Sequence, residues 1–190
     1  MRWMVHFLVA GAIATMIGLG LWQLDRKAWK EGLIAEATAA MGREPVAYPA
    51  ATANPPLYRQ SGFECLEVTG WRHQAGQNAE GQSGYSHVAD CRTSAEGPGA
   101  AVDIGWSRDP VGPEWTGGSV AGVIGRDEKY GFRLVSSEGL AGLEASARPD
   151  PSAMPNNHLA YAVQWFAFAL IAAVIYTLAL RKRRREEAGS

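Results

Sequence analysis

Two short constellations carry the residue types that could do chemistry. In NHLAYAVQWF, Asn157 to Phe166, the imidazole of His158, the phenol of Tyr161 and the indole of Trp165 are spaced i, i+3, i+7. In a helix they share one face, with the Gln164 carboxamide close by. In GLGLWQLDRKAWK, Gly18 to Lys30, steps of three or four residues stack Trp22, Arg26 and Trp29 or Lys30 in a column beside Gln23. An Arg between indoles can make a cation–π contact, although Trp and Arg are also ordinary headgroup anchors. Gln23 is less ordinary, because a carboxamide at membrane depth prefers a protein partner to lipid. A neutral imidazole among aromatic rings can be an axial ligand to haem iron, with Arg or Lys pairing the propionates. A lone histidine at a helix start can equally be a cap or a surface residue.

The elements that must position these residues are two apolar runs. From His158 to Leu180 there is no formal charge until Arg181, enough helix at about 1.5 Å per residue to cross a hydrocarbon core of roughly 30 Å. Arg181, Lys182, Arg183, Arg184 and Arg185 follow directly, the mark of a cytoplasmic end. Val5 to Leu24 is a second uncharged run of spanning length. A cleaved signal peptide is the alternative reading of that run. It is disfavoured because bulky, charged Trp22 to Lys30 follows where small residues are needed, and the first A-x-A lies at Ala37 to Ala39. Two spans put both termini on one side, which the basic cluster assigns to the cytoplasm, and the middle of the chain on the other. Arg26, Lys27 and Lys30 beyond the first span weigh weakly the other way. Antiparallel packing of the two spans would bring Trp22, Gln23 and Arg26 near His158, Tyr161 and Gln164, forming a polar and aromatic cleft at the outer leaflet.

The middle section, on the order of 120 residues, is large enough for one core. It carries more Asp and Glu than Lys and Arg, which argues against a nucleic-acid surface. Cys65 and Cys91 both fall in it, and an oxidising compartment permits either a disulfide or two separate buried thiols. Arg26 to Ala40 has the composition to extend the first helix, which Pro45, Pro49 and Asn54-Pro55-Pro56 then end. β-leaning runs follow at Phe63 to Thr69, Tyr85 to Arg92, Ala100 to Trp106, Ser119 to Ile124 and Phe132 to Ser136, indicating a small antiparallel sheet or partly closed barrel. Ser137 to Pro155 reads as a linker. The fold class is therefore membrane α+β, two transmembrane helices flanking a small antiparallel β-rich extracytoplasmic domain, divided as 1–30, 31–155, 156–180 and a basic tail 181–190. His6 reads as interfacial, and His73 and His87 as exposed surface residues in no metal-ligand spacing. Motifs of hydrolases, nucleotide binders and zinc proteases are absent, which favours a nonenzymatic role. A periplasmic receptor shares the two-helix layout, but a tail of Arg181 to Ser190 leaves no output module.

W-Q-x-x-R-x-x-x-K (Trp22, Gln23, Arg26, Lys30) closing one span and N-N-H-L-x-Y-A-x-Q-W-F (Asn156 to Phe166) opening the other resemble the surfeit-locus-one family of cytochrome c oxidase assembly proteins. VDIGWSRDP, Val102 to Pro110, is similar to the family's V-N-R-G-W-V-P strand, with Asp103 and Ile104 where Asn and Arg are usual, so no role of that Arg carries over. The resemblance implies a membrane-anchored assembly factor that binds haem a through His158. Trp22, Gln23, Arg26, Tyr161, Gln164 and Trp165 would be wall residues, the oxidase large subunit and haem a synthase its partners, and the bacterial inner membrane its place. A scaffold that binds oxidase subunits without a cofactor is the alternative.

Overall fold

A computed structural model of the chain describes residues 2–49, 52–97 and 99–188. Met1, Gly189 and Ser190, which the assignments above place on the cytoplasmic side, lie outside the described residues. The chain divides into two units, residues 1–34 with 155–190 and residues 35–154.

The first unit holds α2 (His158–Ala188) and all but the last turns of α1 (Arg2–Met41). As the Ala-, Glu- and Lys-rich composition predicts, α1 runs without a break through Arg26 to Ala40. It ends before Gly42, and Pro45 follows shortly. Both helices are long and apolar enough to cross a membrane, and only 6% of each apolar window is buried. A core helix of a water-soluble domain would bury most of that surface, so these helices require an apolar medium. The covered positions include His6, Val9, Ile13, Met16, Gly20 and Gln23 on α1 and His158, Ala162, Trp165, Ala169, Ala172 and Tyr176 on α2, with Leu19, Phe166 and Ala173 beside them. Alternating steps of three and four are the seam of a left-handed antiparallel pair.

The second unit is built on six strands, β1 (Gln60–Cys65), β2 (Glu67–Gln77), β3 (Ser83–Arg92), β4 (Ala100–Ser107), β5 (Gly118–Asp127) and β6 (Gly131–Ser136). They form one sheet in the order β1-β5-β6-β4-β3-β2. Its two edge strands are separated only by Leu66, so they are halves of one bent strand that pairs with β5 before the bend and with β3 after it. The ladder therefore closes on itself into a small barrel. All pairs are antiparallel except β4 with β6, an exception to the purely antiparallel expectation that the crossover from β4 through β5 creates. The stretch expected to be a linker is largely part of this unit. Leu140 N donates to Ile104 O at 2.8 Å, and the backbones of Trp106 and Glu144 exchange bonds at 2.7 and 3.1 Å.

One face of the sheet buries Cys65, Ala89, Cys91, Val102, Ile104, Val120, Ile124, Phe132 and Leu134, with Tyr48, Leu57, Trp71 and Trp115 packed against them. Cys65 and Cys91 lie in this core as a disulfide, with Cα atoms 5.3 Å apart. The bridge fastens the bend at Leu66 to the end of β3. The opposite face carries charge. Arg72 bonds Asp127 at 2.9 Å and Asp90 at 3.1 Å, Lys129 bonds Asp90 at 2.7 Å, and Arg133 lies 3.5 Å from Asp127 and 3.6 Å from Asp103. Asp127 also accepts the backbone N–H groups of Lys129 and Tyr130 at 3.0 and 2.9 Å, which fixes the β5–β6 turn. Burial pushes the Asp127 carboxyl up, but the hydrogen bonds from Arg72 and Tyr130 and the charges of Arg72 and Arg133 outweigh it, and the net shift is downward.

Two outcomes follow for the barrel. Replacing both cysteines by alanine opens a span of 26 residues, which costs about 3.5 kcal/mol in the chain-entropy picture and is read as a lower urea midpoint; an unchanged midpoint would show that the bridge does not constrain the unfolded chain. Because the folded Asp127 has the lower pKa, its stabilisation is complete above the unfolded value near 3.8 and is lost as pH falls through the folded one. Thermal midpoints recorded between pH 6 and pH 3 should thus fall less steeply for Asp127→Asn than for the unmodified chain.

Candidate functional site

Three contacts pin the helix pair. At one end the imidazole of His6 and the hydroxyl of Tyr176 are hydrogen-bonded. At the other, His158 Nδ1 lies 2.7 Å from Gln23 Oε1. Between them the ring of Phe166 fills the space over Gly20, where an added Cβ would sit 2.6 Å from a ring carbon. Residue numbers rise along α1 as they fall along α2, so the packing is antiparallel, and Gln23 meets His158 as the sequence predicts. His6, expected to be an interfacial residue at that end of the first span, also has a cross-helix partner. The stretch from His6 to Gln23 rises about 26 Å at 1.5 Å per residue, close to the thickness of a hydrocarbon core. Each end of the apolar stretch is thus closed by one side-chain hydrogen bond.

The bond between Gln23 and His158 has a chemical consequence. A carboxamide oxygen can only accept, so Nδ1 of His158 donates to it, and in the neutral ring Nε2 then holds the lone pair. The imidazole is half-buried and held in one tautomer, the state required of a metal ligand whose second nitrogen is anchored. Around it the predicted residues divide. Trp22 and Tyr161 are 52% and 51% exposed, and Gln164 and Arg26 are exposed as well. Arg26 places its guanidinium carbon 4.3 Å from the centre of the Trp29 ring, so the expected cation–π contact forms on that side of the column. Trp165 sits on the seam and meets Phe168 edge to face at 6.2 Å. The structure therefore joins Gln23 to His158, while Trp22, Arg26, Tyr161 and Gln164 present their side chains at the surface of the pair.

In the barrel unit the structure corrects the reading of one histidine. His87 was expected on the surface and is fully buried, 0% exposed, while His73 is exposed as expected. The two face each other across β2 and β3 with their Nδ1 atoms 2.8 Å apart. Sequence reasoning missed the pair because β2 was expected to stop at Thr69. Carried on to Gln77, its alternation puts His73 opposite His87.

An antiparallel pair of apolar helices bearing an anchored imidazole, with a disulfide-stapled β-barrel between them in the chain, defines a membrane protein with a folded domain outside the lipid-soluble segments. The model of the SURF1 family matches residues 10–170, and the chain belongs to that family. The family is one of assembly factors, and membership implies a role in cytochrome oxidase assembly. No curated protein matches the chain significantly.

The fit of Phe166 over Gly20 is testable. Gly20→Leu should force the helices apart and lower the thermal midpoint of the detergent-solubilised protein, at a cost of about 1–3 kcal/mol for overpacking. Adding Phe166→Ala should recover most of the loss, whereas additive losses would mean that the two positions do not touch.

Proposed function

We propose that this chain serves cytochrome oxidase assembly by holding haem a through Nε2 of His158 and assisting its insertion into the oxidase large subunit, with haem a synthase as supplier. The observation that carries the reading is the hydrogen bond from His158 Nδ1 to Gln23 Oε1. It leaves one imidazole lone pair free, and the donor set fits a haem iron. When bound, haem would supply an iron centre for the His158 imidazole to ligate. The protein's own residues do the rest. Gln23 fixes the tautomer and the ring direction of His158, and Phe166 over Gly20 keeps the two helices in register. Trp22, Tyr161 and Trp165 offer flat apolar surface to a macrocycle, and Arg26 and Gln164 are the polar groups available to its propionates.

The central domain is assigned to the periplasm of a bacterial inner membrane, with both termini cytoplasmic. Support comes from the disulfide, which belongs to an oxidising compartment, and from the run of five basic residues at Arg181 to Arg185.

Co-expression with haem a synthesis enzymes, purification and absorption spectroscopy test the reading. The unmodified chain should carry a Soret band, His158→Ala should lose it, and Gln23→Leu should weaken haem retention by about ten-fold or more, as expected for loss of a ligand's anchoring partner. A haem-free chain that still co-purifies with oxidase subunits would instead establish a scaffold without cofactor, and a full band in His158→Ala would remove the ligand assignment.

A further inference from the structure

We infer that His73 and His87 form a second ligand-binding site, a two-imidazole platform for a divalent transition-metal ion in the barrel unit. The inference does not depend on the haem reading. It starts from the proton positions. Ser107 Oγ donates to the backbone carbonyl of Asp109 at 2.7 Å, so its only hydrogen is committed. The same oxygen lies 2.8 Å from His87 Nε2, which must therefore donate to it. A neutral imidazole protonated at Nε2 has its lone pair at Nδ1, and that atom faces His73 Nδ1 at 2.8 Å. His73 fills the position with its own N–H.

This is how a metal-binding histidine is prepared, with one nitrogen anchored to an outer partner and the other presented as a lone pair. His87 is fully buried, so its ring cannot turn away to water. The ring of His73 lies parallel to that of Trp71, with an interplanar angle of 8°, and Gly112 packs so close that a Cβ there would come within 2.5 Å of the imidazole. Packing therefore restrains both rings beside one another before any ion arrives. The spacing also fits, since two bonds of about 2.0 Å at a right angle hold their nitrogens about 2.8 Å apart, as in the tetragonal field of Cu²⁺ or Ni²⁺.

Binding requires His73 to release its Nδ1 proton to solvent and take one up at Nε2, with no net change. The exposed position of His73 allows that exchange. Among the described residues no group of three or more His, Cys, Asp or Glu side chains could hold a metal ion. The remaining positions on the ion thus belong to water or to an incoming ligand, which reaches it from the exposed side of His73. Cu²⁺ is the probe, because it binds nitrogen donors most tightly of the first-row divalent ions.

Full-length protein in detergent is titrated with Cu²⁺ by calorimetry and electron paramagnetic resonance, alongside three variants. The unmodified chain and His6→Gln/His158→Gln should each bind one equivalent, with a spectrum showing two nitrogen ligands. His73→Gln should lose at least ten-fold in affinity and fall to one nitrogen, while its circular dichroism is unchanged. Ser107→Ala should weaken binding while keeping both nitrogens. Equal affinity in His73→Gln, or loss of the two-nitrogen signal in His6→Gln/His158→Gln, would overturn the assignment.

Discussion

In hydrocarbon an unpaired polar side chain has no water to turn to, and this constraint organises the helical unit. Each helix carries polar groups within its apolar stretch or at its ends: Thr15 and Thr177 bond carbonyls of their own helix, and two other pairs meet across the helices. His6 meets Tyr176 at one end and Gln23 meets His158 at the other, about one hydrocarbon thickness apart by helical rise. Without a hydrophobic driving force between apolar helices, such bonds and close packing are what hold the pair. Gly20 under Phe166 and the small side chains of Ala162 and Ala169 on the seam supply the packing. The same bond that joins the helices also sets the proton on His158, so anchoring and chemistry share one interaction.

The barrel answers a different problem. A β-sheet with free edges invites pairing with other chains, and this sheet disposes of both edges by making them one bent strand. At the bend Leu66 N donates to Arg92 O at 2.9 Å, and the buried disulfide lies beside it. The charged face is balanced within itself. Arg72, Lys129 and Arg133 meet Asp90, Asp103 and Asp127 in one connected network. Removing Arg133 would take from buried Asp103 the cation it faces, which makes that link a constraint on sequence more than a source of stability.

Much of this was legible in the amino-acid sequence. The two spans follow from uncharged length, and the meeting of Gln23 with His158 follows from helical spacing and antiparallel packing. Five of the β-leaning runs became strands. What stayed hidden has physical causes. β2 beyond Thr69 reads Gly-Trp-Arg-His-Gln-Ala-Gly-Gln, which lacks the β-branched residues that betray a strand, because its partners across β3 supply the packing. The histidine pair was invisible for that reason, since contacts between strands depend on register, which periodicity does not set alone. The stretch after Ser137 reads as linker because it joins the sheet through backbone bonds, which leave no side-chain signature. Asp103, which departs from the Asn of the strand pattern the sequence resembles, is buried and accepts from Ser146 at 2.6 Å and from the Gly105 N–H at 3.2 Å. Burial raises its carboxyl pKa toward the neutral form, whose shape is close to that of an amide.

The doubly fastened helix pair behaves as a ruler. A residue inserted or deleted between His6 and Gln23, or between His158 and Tyr176, would swing one fastening by about 100° around its helix relative to the other, so only one of the two could close. Evolutionary drift in chain length is therefore barred from these intervals and must be taken up where no such gauge operates, in the turns of the barrel.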